Sequence, residues 1–227
     1  PLVEQLQATR MAVQALVLCP TRELADQVTQ EIRRLARAVS NIKVVTLCGG
    51  VALRGQVMSL EHGAHVVVGT PGRILDHLER GSLSLQMVQT LVLDEADRML
   101  DMGFLDDITK VVQQCAADRQ TLLFSATYPE GIAQLAQRFM RQPQTVTVQA
   151  QHSESKIRQV FIEVKDNERL DAVSRVLNHF RPESTLAFCN TKQQCRELLA
   201  VLQAQGFDAL ALYGELEQRS EERRVGK

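Results

Sequence analysis

The sequence lacks several features that would restrict its class. No apolar run approaches the ~20 residues of a membrane-spanning helix. Residues 1–14 are polar and lack the apolar segment of a secretory signal peptide. The net charge is −1, so the 227 residues contain neither a polybasic tail nor an acidic solvating segment, but a local basic patch could still bind nucleic acid. With a hydrophobic fraction of 44%, we expect a globular, cytoplasmic protein with no membrane partner.

The cysteines and histidines also lack a metal or disulfide pattern. Five cysteines are an odd number, none lies in a C-x-x-C motif, and three end apolar runs. They are therefore predicted to be reduced, with those three as small core residues. His62 and His65 have no second pair with zinc-ligand spacing, so no metal site is expected there.

Short apolar, β-branched runs alternate with segments of helical periodicity. This alternation predicts an α/β fold with a parallel sheet covered on both faces. The predicted strands of the first part are 15–19, 43–48, 65–70, 90–94, 121–125 and 145–148. Further strands are predicted at 157–164, 185–189 and 208–214, with helices near 167–180 and 192–204.

A polar stretch near residue 150 separates two predicted domains. Residues 1–148 are expected to form one domain, 149–156 a linker, and 157–219 the start of a second domain that three strands cannot complete. The string RSEERRVGK (219–227) resembles a translated sequencing adapter, so we expect 220–227 to be non-native. The alternative is an ordinary charged surface helix.

Polar strings follow the predicted strands of the first domain. In a parallel sheet these strings share the carboxyl edge, where ligands of open α/β sheets bind and helix N-termini offer N–H groups to anions. Simpler interpretations are also open: helix caps at Thr70 and at Thr127-x-x-Glu130, a plain turn at Gly49-Gly50, and solvated arginines. The strings are Pro20-Thr21-Arg22-Glu23, Gly49-Gly50, Thr70-Pro71-Gly72-Arg73, Asp94-Glu95-Ala96-Asp97 and Ser125-Ala126-Thr127.

The acidic string Asp94-Glu95-Ala96-Asp97 places like charges, which repel one another, at the end of a buried strand. One carboxylate could hold Mg²⁺ beside a bound phosphate, and a neighbouring one could orient the attacking water. The metal charge would offset the repulsion between the acids. A surface acidic cluster is the alternative.

Together the strings PTRELA (20–25), GG (49–50), TPGR (70–73), DEAD (94–97) and SAT (125–127) resemble the DEAD-box family of ATP-dependent RNA helicases. Their order and spacing are those of the family, and the residues in and around these motifs are most similar to a bacterial branch. The resemblance covers about residues 13–219. It implies a RecA-like core, ATP and Mg²⁺ as cofactors, RNA as partner, and no obligate protein partner for the helicase core. For the bacterial branch it also implies ribosomal RNA and large-subunit assembly.

The resemblance assigns a role to each matching residue. Asp94 would hold Mg²⁺ through water, and Glu95 would position or activate the attacking water. Asp97 would couple hydrolysis to domain closure through Ser125 and Thr127. The residues expected along the RNA backbone are Pro20, Thr21, Arg22, Gly49, Gly50, Thr70, Gly72, Arg73, Asn190, Thr191, Gly214 and Gln218. Amide, hydroxyl and guanidinium groups suit phosphates and sugars better than base edges.

Two parts of the family pattern are missing from these residues. We find neither the G-x-x-x-x-G-K-[ST] phosphate loop nor the arginine motifs that stabilise the transition state. We therefore expect the chain alone to be inactive. Two other functions stay open: a non-catalytic RNA clamp or assembly factor, and a helicase-like DNA translocase.

Overall fold

The apolar runs of the first 147 residues form one parallel sheet. A computed structural model describes residues 2–39, 41–148, 158–165 and 168–213. The chain divides into two compact units, Pro1–Thr147 and Val148–Lys227. The predicted linker, 149–156, and the suspected tail, 220–227, lie outside the described residues. The role of the second unit as a further RecA-like domain stays a prediction.

The sheet of the first unit has five strands in the order β2-β3-β1-β4-β5, all parallel. This confirms the α/β fold class. The direction of winding reverses around β1, because the chain adds β2 and β3 on one side and β4 and β5 on the other. The strands are β1 (Ala15–Leu18), β2 (Val44–Leu47), β3 (Val66–Gly69), β4 (Thr90–Leu93) and β5 (Gln120–Leu123).

Both faces of β1 are buried, as expected for the centre of such a sheet. Leu16 and Leu18 belong to the core cluster on one face. Ala15, Val17 and Cys19 belong to the cluster on the other. Successive side chains of a strand point to opposite faces, so the continuous apolar run at 15–19 fills two core layers.

Helices cover the two faces unequally. Leu24, Val28 and Ile32 of α1 pack on one face, whereas side chains from α3 to α6 pack on the other. The helices are α1 (Arg22–Ala36), α2 (Leu53–Glu61), α3 (Pro71–Glu79), α4 (Ala96–Asp101), α5 (Leu105–Gln113) and α6 (Glu130–Phe139). On the α1 face, an open apolar depression of about 300 Å³ remains over β4, and Asp94 forms part of its lining.

Several predicted strands do not form. Residues 145–148 carry no strand, and Val146 is 86% exposed. In the second unit, the described parts of 157–164, 185–189 and 208–214 also carry none, and Phe161 and Phe188 are about nine-tenths exposed. A strand needs hydrogen bonds from a neighbouring strand, and these segments have none among the described residues. Helices satisfy their own backbone, so α7 (Arg169–Phe180) and α8 (Lys192–Ala204) form as predicted.

Of the three cysteines that end apolar runs, Cys19 and Cys48 are buried core residues, as predicted, whereas Cys189 is only partly buried because its run forms no strand. Cys115 is also buried, and the three buried cysteines are unpaired. Burial raises the pKa of Cys19 to about 12 and those of Cys48 and Cys115 to about 11, so all three remain thiols at neutral pH. His65 is also buried: its Nδ1 accepts the Lys43 N–H (3.0 Å) and its Nε2 lies 3.1 Å from the Ala8 carbonyl. Among the described residues, no helix is both long and apolar enough to cross a membrane.

Candidate functional site

The loops that follow the strands meet at the carboxyl edge of the sheet. The pairing continues past each strand end: the Asp94 amide donates to the Leu18 carbonyl at 3.0 Å, and the Cys19 amide donates to the Gly69 carbonyl at 2.9 Å. The Ala96 amide donates to the Phe124 carbonyl at 3.0 Å. These bonds place the loops after β1, β3, β4 and β5 side by side, as the polar strings predict.

A sharp turn joins β4 to α4 at Glu95. This residue has φ 48° and ψ 52°, in the left-handed region, which a non-glycine residue adopts at a cost on the order of 1–3 kcal/mol. The turn sets Asp94 and Glu95 at the open edge between the last residue of β4 and the first residue of α4. Arg98 Nη1 lies 3.2 Å from Glu95 Oε2, and both side chains are exposed. Such an exposed pair is weak, so it does not lock the carboxylate.

Asp94 is a half-buried carboxylate with room for a ligand. Burial raises the pKa of Asp94, and the neighbouring charge of Glu95 also raises it. The Glu95 amide opposes this shift by donating to Asp94 Oδ1 at 3.1 Å. Among the described residues, no other donor reaches this carboxylate. A cation beside Oδ2 would therefore stabilise the charged form that burial disfavours.

The donor set at this edge suits magnesium better than a metal held entirely by protein. Within the described residues, no group of three or more His, Cys, Asp or Glu side chains could hold a metal ion. Mg²⁺ is usually bound by one or two carboxylates together with water and phosphate oxygens. The oxygens of Asp94 fit that mode of binding.

Asp97 ties the acidic loop to the loop after β5. Its Oδ2 accepts both the Thr127 hydroxyl, at 2.7 Å, and the Thr127 amide, at 2.9 Å. The Thr127 hydroxyl lowers the pKa of Asp97, as do its amide and, more weakly, the Arg98 amide and the Ser125 hydroxyl. Ser125 Oγ also donates to the Thr127 carbonyl at 2.7 Å. The structure thus brings together Asp97, Ser125 and Thr127.

The alternative interpretation of Thr127 as a helix cap is wrong. Helix α6 begins at Glu130 with Pro129 in the N-cap position and no side-chain cap bond. The Thr127 hydroxyl is bonded to Asp97 instead. Thr70 is at the N-cap position of α3, as predicted, but its side chain also makes no cap bond. In contrast, Thr21 Oγ1 does accept the Leu24 amide at 3.3 Å and caps α1.

Two arginines lie against the turn after β2. A Cβ atom on Gly50 would overlap the Arg22 guanidinium, so that group lies directly over the glycine. Gly50 also has φ +74°, a region that glycine adopts without steric cost. From the next residue, the Val51 carbonyl accepts Arg73 Nη1 at 3.3 Å. The basic strip, defined as Arg22, Gly49, Gly50 and Arg73, is therefore continuous, although Pro20 and Gly72 contribute only backbone and small side chains beside it.

The residues that lie behind Arg73 were not predicted from the sequence. Gln56 Oε1 accepts Arg73 Nη1 at 3.3 Å and is 3.0 Å from His77 Nε2. Gln56 and His77 are both buried. A glutamine and a histidine within helices carry no distinctive pattern. Only the four-residue spacing of Arg73 and His77, which puts both on one face of α3, hints at a link.

In the second unit, the structure places only some of the predicted residues. Thr191 caps α8, since its Oγ1 accepts the Gln194 amide at 3.1 Å. Asn190 precedes it and is exposed. Gly214 and Gln218 lie outside the described residues.

Comparison with known proteins identifies the family. The profile of the DEAD/DEAH box helicase family matches residues 1–135. The ATP-dependent RNA helicase DbpA of Escherichia coli is 49% identical over 218 residues, which cover 96% of this chain and 48% of DbpA. The DEAD-box ATP-dependent RNA helicase CshA of Geobacillus kaustophilus is 43% identical, with 96% of this chain and 47% of CshA covered. The chain thus spans about half the length of these curated relatives.

Solved structures agree with this result. A DEAD box protein from the hyperthermophile Methanococcus jannaschii matches with a TM-score of 0.59 and 39% identity, covering 100% of this chain and 60% of that one. A Saccharomyces cerevisiae Dbp5 variant bound to RNA and ADP BeF3 matches with a TM-score of 0.77 and 26% identity, covering 99% of this chain and 57% of that one. The likeness confirms a RecA-like helicase core, and the bacterial relatives confirm the branch expected from the motifs. With its DEAD and SAT loops joined through Asp97 and its family profile matched over residues 1–135, this chain belongs to the DEAD/DEAH box helicase family.

Proposed function

We propose that the protein containing this chain is an RNA-dependent ATPase that locally unwinds RNA duplexes. The bond between Asp97 and Thr127 is the observation that carries this proposal. It connects the loop with Asp94 and Glu95 to the loop after β5, so a change at one loop moves the other. The names of the relatives, ATP-dependent RNA helicases, support the same activity.

In this proposal the nucleotide lies at the carboxyl edge beside β4. Asp94 would hold Mg²⁺ through water, and the metal would supply charge stabilisation to the transferred phosphoryl group. Glu95 orients the attacking water and takes its proton, after its side chain leaves the exposed pair with Arg98. A shift of the acidic loop during hydrolysis would reach Thr127 through its bond to Asp97, and Ser125 through its bond to the Thr127 carbonyl.

RNA lies along the basic strip in this proposal. Pro20, Thr21, Thr70 and Gly72 are placed beside the strip by the ends of β1 and β3. In the second unit, Asn190, Thr191, Gly214 and Gln218 are proposed to contact RNA. Contacts to the backbone rather than to bases predict binding that is insensitive to sequence and weakens with salt.

A finer proposal concerns the biological setting. Similarity to the DbpA branch favours ribosomal RNA as the partner and a cytoplasmic role in assembly of the large ribosomal subunit. We also propose that the helicase core works without an obligate protein partner. The 227 residues alone should show negligible ATPase activity, because they contain no G-x-x-x-x-G-K-[ST] string. RNA-dependent ATP hydrolysis by the purified 227-residue chain would contradict this last point.

Substitution of Glu95 tests the proposed activity. In the full-length protein, Glu95→Gln should lower RNA-stimulated phosphate release by roughly 10²–10⁴-fold, the usual contribution of a positioned general base. Glu61→Gln, at an exposed position of α2, is the matched control and should leave turnover unchanged. Wild-type turnover in Glu95→Gln would disprove the role of Glu95.

The two alternative functions predict different results in the same assays. A non-catalytic clamp would bind RNA but release no phosphate, even as wild type. The ATPase activity of a DNA translocase would be stimulated by DNA, and added RNA would not compete with the DNA for this stimulation.

A further inference from the structure

A buried hydrogen-bonded network lies directly behind the basic strip. It runs from the Cys48 carbonyl to Gln56 Nε2 (2.9 Å), and from Gln56 Oε1 to Arg73 Nη1 (3.3 Å) and His77 Nε2 (3.0 Å). His77 Nδ1 then meets Ser82 Oγ at 2.8 Å. The network connects the end of β2 and α2, which flank the turn of Gly49 and Gly50, with α3, which carries Arg73.

The chemistry of the partners fixes the direction of each hydrogen bond that Gln56 makes. A carbonyl only accepts, so Gln56 must turn its amide nitrogen to Cys48 and its oxygen to Arg73 and His77. The Gln56 oxygen only accepts, so His77 Nε2 must carry the ring proton. The Ser82 hydroxyl carries a single proton and lies 2.8 Å from His77 Nδ1 and 3.1 Å from the His77 carbonyl, so it can donate to either acceptor. Burial lowers the pKa of His77, and the charge of Arg73 lowers it further, in agreement with this neutral tautomer.

The network restricts the guanidinium of Arg73 without using all of its donors. Nη1 donates to the Val51 carbonyl and to Gln56, and Nε lies 3.6 Å from Asp76 Oδ2. Among the described residues, Nη2 has no partner. The Arg73 side chain is only 13% exposed. An arginine held in this way loses little further conformational freedom when it binds a phosphate.

We propose that Gln56 is a positioning residue, oriented by His77, that holds Arg73 so that its guanidinium is preorganised for an RNA phosphate. The assignment rests on the proposed function, since it takes Arg73 as an RNA contact. Gln56 itself would not touch RNA, because it is buried. The simpler alternative is that the network only fastens α3 to α2.

The salt dependence of RNA affinity distinguishes a positioning role of Gln56 from a network that only fastens α3 to α2. Each phosphate contact on a single strand contributes about 0.7 to the slope of log K against log salt. We would measure the dissociation constant of the full-length protein for an oligouridylate, with a saturating non-hydrolysable ATP analogue, between 50 and 200 mM KCl. The variants are Gln56→Met, Arg73→Ala and their combination. Gln113→Met, at an exposed position of α5, is the matched control.

If Gln56 positions Arg73, Gln56→Met should weaken RNA binding and lower the slope by up to about 0.7. A fourfold rise in salt would then weaken this variant about 2.6-fold less than the wild type. In the Arg73→Ala background, Gln56→Met should have no further effect on affinity. The Gln113→Met control should behave as the wild type.

Other results would overturn the inference. A purely fastening role would lower the thermal midpoint of Gln56→Met but leave its slope unchanged, or add its full effect to Arg73→Ala. His77→Phe keeps an aromatic ring and removes the donor to Gln56. It should lower the slope in the same direction, and an unchanged slope there would also count against the inference. If Arg73→Ala itself binds RNA like the wild type, it is the proposed RNA contact of Arg73 that fails.

Discussion

Replacement of Gly50 by alanine tests the geometry of the turn that carries the basic strip. Gly50 has φ +74°, whereas its neighbour Gly49 does not lie in the left-handed region. A Cβ at Gly50 would lie 2.8 Å from Arg22 Cζ, and a Cβ at Gly49 would meet nothing within 4 Å. The two glycines are therefore a matched pair for the same substitution.

The expected magnitudes follow from these differences. An alanine in the left-handed region costs about 1–2 kcal/mol. The exposed Arg22 side chain can move away, so the overlap adds little. Gly49→Ala should instead stabilise by about 0.4–1 kcal/mol, because alanine restricts the unfolded chain. Alanine restricts the unfolded chain in both variants, so this gain cancels in their comparison, and Gly50→Ala should be less stable than Gly49→Ala by about 1–2 kcal/mol in the free energy of unfolding.

Urea unfolding of the 227-residue chain, followed by far-UV circular dichroism, measures this difference. The chain contains no tryptophan, so tryptophan fluorescence cannot report its unfolding and circular dichroism is used instead. Repeating Gly50→Ala in an Arg22→Ala background removes the overlap and leaves only the cost of placing alanine in the left-handed backbone conformation. Equal stability of Gly49→Ala and Gly50→Ala would refute the conformation assigned to this turn.

Two further predictions concern the carboxylates. Asp94→Asn should stabilise the ligand-free chain at pH 7 by up to about 1 kcal/mol. The raised pKa of Asp94 means that the wild type loses stability as pH rises through that pKa, so the advantage should vanish near pH 4. Urea unfolding at both pH values checks this, and a less stable variant at pH 7 would contradict it. Asp97→Asn should destabilise slightly at pH 7, because the lowered pKa of Asp97 gives a contribution that is lost only as pH falls through it. Its difference from the wild type should shrink as pH falls below the ordinary aspartate pKa of about 4, and a difference that does not shrink would argue against the charged bond to Thr127.

The sequence alone predicted the sheet of the first unit closely. Both ends of β1 to β4 lie within one residue of the predicted runs, and β5 begins one residue before its predicted run and ends two residues before the end of that run. These runs are apolar and β-branched because both faces of the sheet are buried, and that requirement acts on each residue locally. The polar strings could be placed at one edge for the same reason, since all parallel strands end there. Residues 145–148 and the described parts of the strands predicted in the second unit form no strand, because a strand depends on a partner from elsewhere in the chain.

What the sequence by itself determined is therefore the order of elements and the edge at which the chemistry gathers. Only the tertiary structure decided which polar groups bind one another. Thr127 bonds Asp97 rather than capping α6, and Gln56 and His77 lie behind Arg73. These contacts join residues 17 to 30 positions apart in the chain. Periodicity and spacing describe near neighbours, whereas such bonds exist only after the sheet has brought separate loops together.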